Sequence, residues 1–180
     1  MKILLLHEIK EWMLDVDLSV YDLITFDDGL YSQYQHLEHF LKFKKPIIFF
    51  IAANMVCEEN HIQNNEIVSC VQARQEFLNG NKSNYMKWSQ INEIKNIIEI
   101  GGHGFNHIKN IYKYKDIRDD TNLMIQKFES QEIFIKSFAY PFFIETFMYK
   151  LYLQSIGIKN LYGNERLEIE REFNRLPSYI

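Results

Sequence analysis

Short apolar segments alternate with longer stretches of helical period along most of the chain, and this alternation is the feature that most constrains its fold. Most of the short segments are apolar on both faces, which is typical of buried parallel strands. The predicted strands are residues 2–7, 22–26, 47–51, 97–100, 135–140, 159–162 and 175–178. Repeated βα units of this kind predict an α/β fold with a parallel sheet.

Helices are predicted between the strands, at residues 31–43, 88–96, 116–129 and 145–155. The βα rhythm is interrupted once, by the polar, Asn-rich segment 57–87, which carries a turn signal at Asn79-Gly80-Asn81. Two interpretations of this segment stay open, namely a helical insertion that closes one side of a site and an ordered surface loop. A chain of 180 residues is otherwise the length of one domain, here residues 1–180.

Composition excludes several classes of function. A net charge of -4 provides no broad cationic surface, so we expect no binding to nucleic acid. No apolar stretch has the roughly 18–20 residues that a transmembrane helix requires. The first apolar run, 3–6, is too short for a secretory signal, and Cys57 and Cys70 lack C-x-x-C spacing, which together favour a cytoplasmic protein with reduced thiols.

Two adjacent carboxylates, Asp27 and Asp28, follow the predicted strand 22–26, and Gly29 permits a tight turn after them. Successive side chains of an extended backbone point in opposite directions, so the two carboxylates can have different roles. An Asp-Asp-Gly sequence is also an ordinary turn or helix N-cap, and alone it would not identify a site.

A second cluster of polar residues follows the predicted strand 97–100, in the sequence GGHGFNH. His103 and His107 lie four residues apart, so one helical turn would place both imidazoles on the same side. Gly101 and Gly102 would let the backbone bend sharply at the strand end. Two unrelated surface histidines are the alternative interpretation, whereas a pair at this spacing commonly holds a divalent cation.

Two histidines and one carboxylate leave coordination positions open for water and substrate, as a hydrolytic metal requires. Asp28 is the natural third ligand of such a site. Asp27 is then a candidate base for a water whose pKa the metal lowers.

With these motifs in order, the chain resembles the polysaccharide deacetylases, which remove N-acetyl groups from chitin-like and peptidoglycan sugars. The resemblance rests on TFDDGLYSQY (25–34), PIIFFI (46–51), IEIGGHGFNH (98–107) and FAYPF (138–142). It covers most of the chain except the segment 57–87. It implies an irregular, TIM-barrel-like (β/α) barrel of about seven parallel strands.

The resemblance also implies roles for individual residues. Asp28, His103 and His107 would bind a divalent metal, with zinc as the expected ion, and Asp27 would be the catalytic base. The backbone N–H of Phe142 would be the oxyanion donor. The candidate residues all follow predicted strands, which places them on the catalytic face of a barrel.

Two departures from the family pattern leave roles unassigned. Ala139 stands where many members have an Arg that orients the base; Arg175 could reach the site instead, or be a purely structural or surface residue. The late Leu-x-His motif is absent, because no histidine follows His107. His7, at the end of the first predicted strand, is the substitute candidate for the general acid, and a histidine satisfied by neighbouring backbone is the alternative.

The resulting hypothesis is a metal-dependent hydrolase that removes an N-acetyl group from an amino sugar or glycan precursor, giving acetate and a free amine. Two alternatives stay open: a deformylase or other small-amide hydrolase, and a non-catalytic metal- or glycan-binding module of the same fold. The expected partner is an N-acetylated sugar, and the sequence does not predict an oligomeric state.

Overall fold

A parallel sheet forms the centre of the molecule in the structure, a computed structural model that describes residues 1–109 and 111–168. The strands are β1 (Ile3–Leu6), β2 (Leu23–Phe26), β3 (Ile47–Ile51), β4 (Glu99–Gly102), β5 (Ser137–Ala139), β6 (Asn160–Tyr162) and β7 (Leu167–Glu168). The helices are α1 (Tyr31–Gln35), α2 (Leu37–Leu41), α3 (Cys70–Leu78), α4 (Trp88–Ile94), α5 (Tyr114–Glu129) and α6 (Phe147–Ser155). Within these ranges, no helix combines the length and the apolar character needed to cross a membrane.

The strands pair in the order β6-β5-β4-β3-β2-β1-β7, and every pairing is parallel. Six strands of three or more residues make a parallel half-barrel, and the two-residue β7 extends its edge beside β1. Among the described residues β6 and β7 do not pair with each other, so the half-barrel is open at that point. The α/β class is confirmed. The predicted strand 175–178 lies outside the described residues, and β7 was not predicted.

Both faces of the sheet are covered, which explains why its strands β1, β2 and β3 are almost entirely apolar. Every residue of β1, β2 and β3 is buried. Leu4 and Leu6 pack in the large core beneath the helices, whereas Ile3 joins a smaller core on the opposite side of the sheet. The polar exception, Thr25, donates a hydrogen bond from Oγ1 to the carbonyl of Leu4 at 2.7 Å, so its burial leaves no unpaired hydroxyl proton.

The glycine pair before the histidine motif lies inside β4, which corrects the predicted bend. The backbone N–H groups of Ile97 and Ile98 donate to the carbonyl of Ile94 at the end of α4, so the strand begins two residues later than predicted. A Cβ on Gly101 would lie 2.6 Å from the Phe50 ring, and one on Gly102 would lie 2.6 Å from Met124 Sδ. These glycines are needed for close packing rather than for a turn.

The predicted helix 31–43 is two short helices that meet at His36. There the backbone has φ −106° and ψ 5°, and the imidazole Nδ1 lies 2.8 Å from the carbonyl oxygen of Ser32. The apolar period continues across the break, since Leu37 and Phe40 are buried like the residues of a single amphipathic helix. The sequence pattern therefore predicted the buried face but not the interruption.

Segment 57–87 contains one helix, α3, and is otherwise turn and loop. Its helix α3 ends at the predicted turn signal, where Gly80 has φ 87°. Ala73 of α3 is fully buried, and its cluster contains Leu30, Ala52, Met55 and Tyr85. Because Leu30 lies four residues beyond β2 and Ala52 directly follows β3, the insertion covers one side of the strand ends.

Candidate active site and metal centre

The predicted site residues meet at the carboxyl edge of the sheet, as the strand assignments required. His7 directly follows β1, the pair Asp27 and Asp28 follows β2, and His103 follows β4. The carboxyl ends of parallel strands share one edge, so side chains distant in sequence converge there. Asp27, Asp28, His103 and His107 are all buried.

Asp27 is held by an arginine that the sequence did not predict. Arg166 donates from its two terminal nitrogens to the two carboxylate oxygens of Asp27, at 2.5 and 2.8 Å. Burial alone would raise the pKa of Asp27, but the charges of Arg166 and His103 hold it below its ordinary value. A bidentate guanidinium–carboxylate pair fixes orientation as well as charge.

The predicted candidate for this task, Arg175, lies outside the described residues. Arg166 comes from the short segment that leads into β7, where no motif drew attention to it. The family position at Ala139 is fully buried in the small core, and its carbonyl contributes to the site instead.

Asp28, His103 and His107 present one ligand atom each to a common point. Asp28 Oδ1 lies 3.5 Å from His103 Nε2 and 3.2 Å from His107 Nε2, and the two imidazole nitrogens are 3.2 Å apart. Asp28 Oδ1 is buried without a well-placed hydrogen-bond donor in the described part of the chain. A buried carboxylate oxygen facing two ring nitrogens fits a bound cation.

The protonation of the two histidines agrees with a role as metal ligands. His103 Nδ1 lies 2.8 Å from the carbonyl oxygen of Ala139, which can only accept, so Nδ1 carries the proton and Nε2 offers a lone pair. Burial lowers the pKa of His107 to about 4, so its ring is neutral at pH 7. Burial also opposes charge on His103, but Asp27 and Asp28 raise its pKa above the ordinary value. The two carboxylates thus favour a positive charge here, whether a proton or a metal ion.

The segment between the two histidines is a loop, and the predicted helical turn is wrong. Gly104 has φ 76° and His107 has φ 52°, both in the left-handed region. Asp120 of α5 accepts hydrogen bonds from the backbone N–H groups of Phe105 at 2.8 Å and Asn106 at 3.0 Å. The carboxylate of Asp120 therefore holds the loop that carries both imidazoles.

Asp120 was overlooked in the sequence although a signal for it exists. It lies on the buried face of α5 with Ile117, Thr121, Met124 and Phe128. A carboxylate at an apolar position of an amphipathic helix requires partners, because an unpaired buried charge is costly. Here the partners are the loop's own N–H groups.

Phe142 lies beside His107 in a strained backbone conformation. It has φ 54° inside the short 3-10 helix Pro141–Phe143, and its ring centroid is 4.5 Å from that of His107. Among the described residues its backbone N–H has no hydrogen-bond partner. A non-glycine residue held in this region of φ is uncommon and is often found at functional sites.

His7 is half-buried on the same edge as Asp27 and Asp28, and its charge contributes to lowering the pKa of both. Its carbonyl accepts a hydrogen bond from Gln33 Nε2 at 2.7 Å. No backbone group in the described ranges hydrogen-bonds to the imidazole itself. The described residues therefore do not show the alternative arrangement, in which neighbouring backbone groups would hydrogen-bond to the His7 ring.

The insertion contributes a cation to this site that the sequence did not predict. The guanidinium carbon of Arg74, on α3, lies 5.1 Å from the centroid of the Phe142 ring. Lys109 Nζ lies 5.9 Å from the same centroid. Two cations and the imidazole of His107 therefore all lie against the Phe142 ring.

No family model matches the sequence, and no curated protein matches it. Solved structures do match, and three are similar over most of their length. IcaB from Ammonifex degensii has a TM-score of 0.66 at 18% identity, covering 93% of this chain and 84% of that one. A de-N-acetylase from Aggregatibacter actinomycetemcomitans has a TM-score of 0.64 at 12% identity, covering 93% and 92%.

The third is the Streptococcus pyogenes deacetylase PplD, solved in complex with acetate, with a TM-score of 0.62 at 10% identity. The match covers 87% of this chain and 80% of PplD. At identities this low, structural similarity establishes the fold and nothing more. The chain has the fold of the polysaccharide deacetylases, as its motifs predicted.

Proposed function

We propose that this chain is a metal-dependent hydrolase that removes an N-acetyl group from an amino sugar or glycan. The observation that carries the proposal is the Asp27–Arg166 pair, which lies beside the three convergent ligand atoms of Asp28, His103 and His107. Support also comes from the similar structures, since two are described as a de-N-acetylase and a deacetylase.

Asp28, His103 and His107 would hold the metal ion, and the two imidazoles favour zinc over a hard, oxygen-preferring cation. When bound, the ion would supply a Lewis acid that polarises an acyl oxygen and lowers the pKa of water. The hydrogen bond from His103 to the Ala139 carbonyl keeps the ring in the tautomer and orientation that a ligand requires.

Asp27 would take the proton from the attacking water. Arg166 occupies one lone pair on each of its carboxylate oxygens, and a second lone pair on each remains to accept a proton. Asp27 Oδ2 lies 3.8 Å from His103 Nε2, so a proton acceptor is placed next to the ligand cluster. The pair with Arg166 keeps this base ionised and correctly oriented.

The backbone N–H of Phe142 would stabilise the oxyanion that forms as water adds to the acetamide carbon. Collapse of that tetrahedral species breaks the C–N bond, and the nitrogen leaves with a proton from an acid. His7 would supply this proton, because its half-buried imidazole lies on the same edge and imidazole is the side chain most often used as a general acid. The products are acetate and a free amino sugar.

The test combines metal analysis of the purified protein with acetate release from a panel of N-acetylated sugars. We expect about one divalent ion per chain and measurable acetate. Asp27→Asn should keep the metal and lose about 10²- to 10⁴-fold in turnover, whereas Asp28→Asn should lose metal affinity as well. Full activity of Asp27→Asn would contradict the role of the base.

The same experiment separates the alternatives. Release of formate rather than acetate would identify a deformylase, and bound metal without turnover on any amide would identify a binding module. A cytoplasmic location stays a prediction.

A further inference from the structure

The guanidinium of Arg74 lies over the Phe142 ring, at the side of the candidate active site that the insertion covers. The side chain is half-buried, and its Nε is buried without a hydrogen-bond partner. Neither Arg74 nor Lys109 forms an ion pair with any described residue. A partly desolvated cation without an anion is unfavourable, so such a group is typical of a place that receives a charged ligand.

The carboxylates nearest this part of the site already have other partners. Asp27 is paired with Arg166, and Asp28 faces the two imidazoles. Glu8 accepts a hydrogen bond from the backbone N–H of Cys70 at 3.1 Å and lies 3.5 Å from Lys10 Nζ. Within the described part of the protein, no carboxylate therefore neutralises the charge of Arg74.

Phe142 places the two cations relative to the metal ligands. Its ring packs on His107 at 4.5 Å between centroids, and Arg74 and Lys109 lie against the same ring. A group bound by these cations would thus lie on the Phe142 side of the candidate metal ligands, next to the place proposed for the acyl group, as a substituent of the same sugar would.

We propose that Arg74, assisted by Lys109, binds an oxyanion substituent of the N-acetylated substrate, either a carboxylate or a phosphate. The planar guanidinium presents paired N–H donors that match both groups, whereas Lys109 contributes a point charge. The substrate is then an acidic or phosphorylated amino sugar rather than a neutral one. This inference rests on the proposed deacetylase function.

The experiment compares kcat/KM for three substrates: N-acetylglucosamine, its 1-phosphate, and N-acetylmuramic acid, which carries a carboxylate. The wild type should prefer one or both anionic sugars over the neutral one, and the preferred sugar identifies the oxyanion. Arg74→Gln should reduce this preference about tenfold or more, as expected for loss of a charge-assisted hydrogen bond. Arg74→Lys should reduce it less, since the charge remains and the fork is lost.

Arg118→Gln is the matched control, because Arg118 is an exposed arginine on α5 that pairs with its neighbour Asp119. It should leave the preference unchanged. An Arg74→Gln enzyme whose preference equals that of the wild type would overturn the proposal, and so would a wild type that favours the neutral sugar.

Equilibrium binding of the same sugars, measured by calorimetry, separates this inference from the proposed function. Binding of an anionic sugar that is weakened by Arg74→Gln, without acetate release, would support the oxyanion site and refute the deacetylase. Acetate release from all three sugars without an effect of Arg74 would do the opposite.

Discussion

The two sides of the candidate active site are built differently. On the strand-end side, each functional group is fixed by another part of the barrel: Asp27 by Arg166, His103 by the Ala139 carbonyl, and the ligand loop by Asp120. On the insertion side, Arg74 rests on an aromatic ring and has no ion pair within the described ranges. The groups named on the strand-end side have their partners within the protein, whereas Arg74 on the insertion side has no described counter-charge.

This difference separates the reaction from the choice of substrate. Groups that move protons or hold a metal must keep one geometry for every turnover, and a rigid set of partners provides it. A group that selects a substrate gains most when its partner is supplied by that substrate. Changes on the strand-end side should therefore affect neutral and anionic N-acetylated sugars alike, and changes on the insertion side should affect them unequally.

The largest effect is expected from the metal ligands. Replacing His103 or His107 by Ala removes one of three protein donors, so tight metal binding and turnover should both be lost for every substrate. Metal analysis after dialysis measures the first and acetate release the second. His36→Ala is the control, because the His36 imidazole contacts the carbonyl oxygen of Ser32 at the break between α1 and α2 and is not one of the ligand atoms, so this variant should retain the metal. Metal retained in both ligand variants would disprove the site.

Replacing His7 by Ala should cost about a hundredfold in turnover on amides, the lower part of the range for a general acid. An activated ester has a leaving group that needs little protonation, so its hydrolysis should be much less affected. Parallel rate measurements on the two substrate types check this. An equal loss on both would indicate damage to the metal site, and no loss on either would remove His7 from the mechanism.

Asp120 allows a subtler test of the strand-end side. In Asp120→Asn one oxygen is replaced by an NH₂ group, which would face a backbone N–H of the loop instead of accepting from it. Loss of such a supporting contact typically weakens metal affinity by about 10- to 100-fold. Competition with a chelator of known affinity measures the change. Asp116→Asn, at an exposed position of the same helix, should have wild-type affinity.

The smallest effect is expected from the insertion. Ala73→Leu overpacks a fully buried position of α3 and should displace that helix, at a cost of about 1–3 kcal/mol in the free energy of unfolding. Because α3 carries no metal ligand, metal content should not change. We expect KM to rise a few-fold for anionic sugars relative to neutral ones. A uniform loss of kcat on all substrates would show that the two sides are not separable.

The parts of the site that could be predicted are those in which a reactive polar residue follows the end of a strand in the sequence. Strands β1 and β3 are continuous apolar runs and β2 has one polar residue, Thr25. Asp27 and Asp28 directly follow β2, and His103 directly follows β4. The spacing of His103 and His107 predicted that the two imidazoles lie on the same side, but not which backbone conformation brings them together. Four residues can form a helical turn or, as here, a loop with two left-handed positions.

The residues that were missed act across long distances in the sequence. Asp120 and Arg166 bind backbone or carboxylate groups of other elements. The position of Asp120 on the apolar face of α5 indicates that it needs a partner, but no local pattern identifies the partner of either residue. Arg74 lies in a polar insertion, where a charged residue gives no indication of a site. Only the tertiary structure shows that its guanidinium lies over the Phe142 ring. Tertiary pairing rather than local preference determined all three.

The pairing of Arg166 with Asp27 spans 139 positions, and it sets an order of assembly. Synthesis proceeds from the N-terminus, so Asp28, His103 and His107 all leave the ribosome before Arg166 does. Under the proposed function, the residues that would hold the ion are thus synthesised before the arginine that orients the base, and removal of Arg166 would act on the base rather than on the ligand residues.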